Sequence, residues 1–222
     1  MTLWLHTQAL YPSLKDTGVD WASDQSIWAA YKFVQALKGR PISGYAYLRR
    51  PNGIQVKINE ASGVGAFTVF GEWAALRLAE IPITAASLVP VPSSDCLAHG
   101  ADAKGNALAA AVRAHAAGMS LAPVLCWREH WPKAAEGGER DPDALLPNLS
   151  VRAILPQQQV VLIDDVATSG GHLIACARAL RARGLHVEHA ICAARTSHHV
   201  PEGGMFHAEV VDLEAPALAL GW

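Results

Sequence analysis

The chain has 222 residues, 51% of them hydrophobic and 17% charged, which is enough to bury a sizeable core in one domain or in one domain with an appendage. Eighteen Lys and Arg against twenty Asp and Glu leave a net charge of -2, so charge indicates neither a nucleic-acid groove nor a disordered acidic tail. The four cysteines, Cys96, Cys126, Cys176 and Cys192, include no C-x-x-C pair, which argues against a structural zinc site or a disulfide framework.

The opening Met1–His6 has neither the basic start nor the long apolar run of a signal peptide. No uncharged apolar run approaches the roughly 20 residues that span a bilayer. A cytoplasmic protein without membrane contact is expected. Three of the seven tryptophans, Trp4, Trp21 and Trp28, precede residue 30. Such rings can stack on a base, but more often they anchor a small domain onto a core. A helix is predicted over Asp24–Leu37, capped by Ser23 or Asp24 and stopped by Gly39-Arg40-Pro41. Strands at Ile42–Leu48 and Gln55–Ile58 flank an Asn52-Gly53 turn. Phe70–Ala79 reads as a helix from the spacing of Trp73, Leu76 and Ala79.

From Ala85 onward, apolar strands alternate with helices. The strands are Ser87–Pro90, Leu121–Trp127, Val160–Ile163 and His186–Ala194; the helices are Asn106–Ala117 and His172–Arg183, the latter ended by Gly184. This pattern predicts an α/β fold with an open, mostly parallel, twisted sheet flanked by helices. The expected division is an N-terminal α+β appendage, 1–84, packing as a hood on a core at 85–222. Between Arg128 and Pro156 periodicity is lost among Pro132, Gly137-Gly138, Pro142 and Pro147. That segment is either a surface insertion or a mobile cover over a site.

The chemistry concentrates in Val160–His172. An apolar strand delivers Asp164 and Asp165 to its carboxyl end, where open parallel sheets bind ligands. The turn Thr168-Ser169-Gly170-Gly171 aims backbone N–H groups and hydroxyls at one anion, and the next helix adds its dipole. Carboxylates repel a phosphate and suit sugar hydroxyls or a metal. A phosphate with a diol a few ångströms away describes a ribose 5-phosphate. The bland alternative, two exposed acids ending a strand, leaves the glycine loop without a purpose. The acidic pockets of response-regulator receivers and haloacid dehalogenases follow the first strand, whereas these acids come late in the chain.

The segment resembles the phosphoribosyl-pyrophosphate motif of type I phosphoribosyltransferases. Leu88-Val89-Pro90-Val91-Pro92, Lys104-Gly105-Asn106 and Ala193-Ala194-Arg195-Thr196 are similar, in that order, to ComF proteins, which are phosphoribosyltransferase-like and linked to DNA uptake. The resemblance covers roughly residues 85–197 and lacks that family's N-terminal cysteine-rich element. It implies that Asp164 and Asp165 bind the ribose hydroxyls as catalytic groups and hold Mg²⁺ directly or through water. It implies that Ala167, Thr168, Ser169, Gly170, Gly171 and His172 hold the 5-phosphate, His172 standing where a threonine is common. Ser93, Ser94 and Lys104 would meet pyrophosphate, and Arg128, His130, Lys133 and Arg140 would close over it.

The reaction so implied joins phosphoribose to a nitrogen base with exchange of pyrophosphate. The alternative is a non-catalytic binder of phosphoribosyl pyrophosphate or a nucleotide, regulatory or associated with DNA uptake. The partner expected is a small molecule, and a homodimer is admitted. His198-His199 have no ligand-like spacing to a carboxylate or cysteine and read as solvated loop residues. Arg195 is either an ion-pair partner or a ligand contact.

Overall fold

A computed structural model describes residues 2–14, 20–21, 24–60, 63–130, 138–152 and 155–215. Its central sheet has six strands: β1 (Trp4–Pro12), β4 (Ala86–Pro90), β5 (Met119–Leu121), β8 (Gln159–Ala167), β9 (His186–Ser197) and β10 (Glu209–Asp212). The spatial order is β10-β1-β9-β8-β4-β5, parallel throughout except for the antiparallel edge strand β10. Helices cover both faces. One layer contains α1 (Gln25–Leu37), α2 (Val64–Glu80) and α3 (Ala103–Arg113), whose apolar residues join Val161 and Ile163 in one core. The other is led by α5 (Gly171–Arg181), whose Leu173, Cys176 and Leu180 pack with Val160 and Leu162. The fold class is therefore the expected α/β arrangement with a mostly parallel sheet and flanking helices.

The chain's first strand was not anticipated. β1 is buried along nearly all its length and lies between β9 and β10. His6, Thr7 and Gln8 interrupt its apolar run, which hides it from a reading by hydropathy, yet all three are buried. Segment 1–84 thus contributes a strand to the central sheet besides packing on it. The predicted first helix forms as α1, with Asp24 Oδ1 accepting the Ser26 N–H at 2.7 Å. The paired strands form as a separate hairpin, β2 (Tyr45–Arg49) and β3 (Gln55–Asn59).

The single strand expected over Leu121–Trp127 is broken. β5 ends at Leu121 and β6 (Leu125–Trp127) begins a second small sheet with β7 (Leu149–Val151). Pro123 lies between them and has no N–H for a ladder. The aperiodic stretch after Arg128 carries structure as well: α4 (Pro142–Leu145), a 3-10 turn at Leu146–Asn148 and β7. These pieces are too short to leave a periodic pattern.

The connections fix where a ligand can go. From β4 the chain runs through α3 on one face to β5; from β8 it runs through α5 on the other face to β9. β4 and β8 are neighbours, so successive crossovers diverge there and open a crevice beyond their carboxyl ends.

Candidate functional site

That crevice is a cleft of about 580 Å³. Asp164, Asp165, Ala167, Thr168, Ser169, Gly170, Gly171 and His172 line it from β8 and the start of α5. Ser93, Ser94 and Lys104 line it from β4 and α3. Two segments 60 or more residues apart in sequence therefore face one space. Arg128, His130 and Arg140 are not among the lining residues. The Arg128 N–H instead donates to Asn148 O in the β6–β7 unit. Lys133 lies outside the described residues.

β8 extends past the predicted Ile163 to Ala167, so both acids sit within the strand. Successive side chains of a strand point to opposite faces. Val161 and Ile163 already face α1 and α3, and Asp165 follows them. It is 6% exposed and accepts from Lys104 Nζ at 2.7 Å, with Lys38 Nζ 3.8 Å away. Burial opposes its ionisation, but Lys38 and Lys104 outweigh burial and hold it below the usual carboxylate range. The same pairing lifts Lys104 against the opposing effect of burial.

Asp164 takes the other face, beside Cys176 and Cys192, whose thiols are both pushed up by burial first and by its charge second. Its Oδ1 accepts the Asp165 N–H at 2.8 Å. Burial, then the neighbouring Asp165 charge, raises it to about 7. Two adjacent carboxylates thus titrate in opposite directions, because one has ammonium partners and the other has an apolar wall.

The glycine loop has little freedom. Gly170 holds φ +75° as the N-cap of α5, and no side chain caps that helix. A Cβ on Gly171 would stand 1.8 Å from Arg140 O, so segment 138–141 presses directly on the loop. Arg178 pairs with Asp143 at 2.6 Å and links α4, which follows this segment, to α5. Gly170, Gly171, His172 and Leu173 line the cleft at the start of α5, where first-turn N–H groups have no intrahelical partner, as an anion site requires. The Thr168 and Thr196 hydroxyls lie 3.5 Å apart at its edge.

His172 packs edge-on against Trp127, with ring centroids 5.6 Å apart. Burial and then the Arg140 charge lower its pKa, which favours the neutral imidazole, a form that can donate one hydrogen bond. Trp127 is itself fixed by donating from Nε1 to Pro92 O at 3.2 Å. Across the cleft, Asp102 caps α3: Oδ1 accepts the Gly105 N–H at 2.9 Å and Oδ2 the Ser93 N–H at 2.8 Å. The Ser93 amide is therefore already engaged, and its hydroxyl and the Ser94 segment are what remain for a ligand.

Sequence reasoning missed Lys38, Arg40, Asp102 and Trp127. Asp102 carried a signal, an acid immediately before a helix with Gly105 in its first turn. Lys38 and Arg40 carried none, since they arrive from the end of α1, far from the motif. Arg195 pairs with Glu209 at 2.9 Å and lines no part of the cleft. Among the described residues no three His, Cys, Asp or Glu side chains converge as a metal cage, and no helix is long and apolar enough to cross a membrane.

No protein-family model matches the sequence, and no curated protein does either. Among solved structures, an APRTase from Giardia lamblia complexed with 9-deazaadenine is similar at 14% identity, over 69% of this chain and 94% of that one, with a TM-score of 0.41. A second adenine phosphoribosyltransferase is 15% identical over 76% of this chain and 89% of its own, with a TM-score of 0.36. At such identities no residue role carries across, and the site is argued from its own side chains.

Proposed function

We propose that the protein binds phosphoribosyl pyrophosphate in the β4–β8 cleft and transfers its phosphoribosyl group to a nitrogen base, or runs the reverse exchange. One observation carries this reading: an uncapped helix start and glycine loop stand beside two carboxylates, facing Ser93, Ser94 and Lys104 across a single cleft. The loop from Ala167 to Gly171, with His172 as a neutral donor, takes the 5-phosphate. Asp164 and Asp165 accept from the ribose hydroxyls and orient the sugar. Lys104, with Lys38 and Arg40 from the 1–84 segment acting as a hood, meets the pyrophosphate. The bond from the base nitrogen to C1 forms as the bond from C1 to the pyrophosphate oxygen breaks. Pyrophosphate leaves with that electron pair and the nitrogen loses its proton. Positioning and charge complementarity are what these side chains contribute.

The donor set fits a Mg²⁺ that arrives with the ligand, since Mg²⁺ is commonly held by one or two carboxylates together with substrate phosphates. Asp164, and Asp165 through water, would hold it, and it would neutralise charge on the leaving group. The reading carries with it a cytoplasmic location and admits a homodimer.

A second reading, a non-catalytic sensor of such ligands or a ComF-like role in DNA uptake, is favoured by the engagement of Asp165. Two ammonium groups already compensate the carboxylate that ribose or metal would otherwise use. Titration of phosphoribosyl pyrophosphate with Mg²⁺, followed by a base screen for pyrophosphate release, separates the two. Turnover supports the enzyme, and tight binding without turnover supports the sensor. Absence of binding, with Asp164→Asn/Asp165→Asn matching the parent, removes both.

A further inference from the structure

A second cleft, of about 930 Å³, lies between α1, the β2–β3 hairpin and the segment before β10, and it shares no lining residue with the first. Its walls are rings. Trp28, Tyr45, Tyr47 and Phe206 stay between 38% and 55% exposed, a concentration of large apolar surface that marks a contact site. Each ring touches another ring. Tyr45 and Tyr47 pack edge-on at 5.6 Å, Trp28 leans on Tyr31 at 5.9 Å, and Phe206 leans on Phe33 at 5.9 Å. They line the cleft from α1, from the hairpin and from the segment before β10.

The cleft is cationic. Lys32, Arg49 and Arg50 line it, and among the described residues no acidic one does. Arg50 is neutralised by Glu72 from α2. Lys32 donates to the Tyr45 carbonyl at 3.0 Å and has no ion-pair partner among the described residues. Arg49 has no ion-pair partner among the described residues.

The floor holds a third signal. Gln8 of β1 lines the cleft, is 8% exposed, and its Oε1 has no hydrogen-bond partner among the described residues. Buried acceptors are normally paired, so an N–H donor entering from the cleft would satisfy this one.

We infer that this cleft is a second ligand site and that it takes a mononucleotide. The base stacks between Trp28 and the hairpin tyrosines, an N–H on its edge donates to Gln8 Oε1, and the phosphate meets Lys32 and Arg49. A sugar phosphate without a base leaves the rings uncovered, and a neutral heterocycle leaves the cations unused.

The test is calorimetric titration of adenosine 5′-monophosphate into the protein, with and without a saturating excess of ribose 5-phosphate to fill the glycine-loop cleft. One equivalent of the nucleotide is expected to bind in the presence of ribose 5-phosphate. Trp28→Ala, and separately Tyr45→Ala/Tyr47→Ala, should weaken that equivalent at least tenfold, and Arg49→Glu should weaken it further than Arg49→Lys. These side chains are exposed, so their loss does not threaten folding. If excess ribose 5-phosphate abolishes all nucleotide binding, the second site is overturned while the first-cleft reading survives. If ribose 5-phosphate itself shows no binding and the Trp28-sensitive equivalent persists, the second site stands and the first-cleft reading fails. No nucleotide binding at all, or binding that Trp28→Ala and Tyr45→Ala/Tyr47→Ala leave at parent strength, also overturns the second site.

Discussion

The two clefts are made of opposite materials. The one between β4 and β8 is mostly main chain: a glycine loop, a helix start, and two acids whose positions the strand pleat dictates. The one beside the hairpin is mostly side chain, rings and long cations carried on α1, β2 and the segment before β10. Main-chain sites are intolerant because every substitution alters the shape of the cradle itself. Side-chain sites lose a wall at a time and leave the scaffold intact. The contrast predicts that changes in the first cleft move stability and binding together, whereas changes in the second move binding alone.

The largest effect is expected at Gly171. Its hydrogen faces Arg140 O, and a methyl group there would force segment 138–141 away from α5. Gly171→Ala should cost about 1–3 kcal/mol, as overpacking does, with melting lowered by about 2–4 °C per kcal/mol, and should abolish detectable ribose 5-phosphate binding. A variant that melts and binds like the parent would show that the loop is not a rigid cradle.

An intermediate effect belongs to Asp164. Its pKa, raised to about 7 by burial and then by Asp165, means that the folded state holds its proton more tightly than the unfolded chain. Between the ordinary carboxylate range and about pH 7 the native state carries the extra proton, so this group's contribution to stability falls as pH rises through that window. The lowered histidines, His6, His172 and His189, act in the opposite sense. The comparison must therefore be with Asp164→Asn, which removes one contribution and leaves the others. The parent should lose stability relative to the variant between pH 5 and pH 8 in thermal melts. Parallel curves would remove the assignment.

The smallest effect is expected at Tyr47. Tyr47→Ala on the exposed face of β2 should change stability by no more than about 0.5 kcal/mol, read by urea titration, even as it weakens nucleotide binding. A larger loss would mean that the hairpin rings are structural and that the contrast between the clefts is false.

The same contrast explains what could be read from sequence. The glycine loop and its acids are contiguous, so strand, turn and helix start announce themselves together in Val160–His172. The partner wall at Ser93, Ser94 and Lys104 was found through a resemblance whose motifs fall in the same order. Lys38 reaches Asp165 from α1, more than a hundred residues away, and no local pattern encodes that meeting. The ring-lined cleft draws on Gln8, Trp28, Tyr45 and Phe206, which share no spacing. β1 was missed for another reason: its buried polar residues imitate a surface segment, and its burial comes from neighbours on both sides.

That strand has a consequence for biogenesis. His6 meets His189 across 183 positions at 3.1 Å, and β1 finds both of its sheet partners only in the last quarter of the chain. At the usual pace of translation, roughly 5–20 residues per second, the strand waits on the order of ten to forty seconds beside the ribosome before β9 emerges. Throughout that interval its ladder groups and the apolar side chains of Leu3, Leu5 and Leu10 are available to any competing edge. Nascent-chain holdases should therefore engage this protein early and release it late.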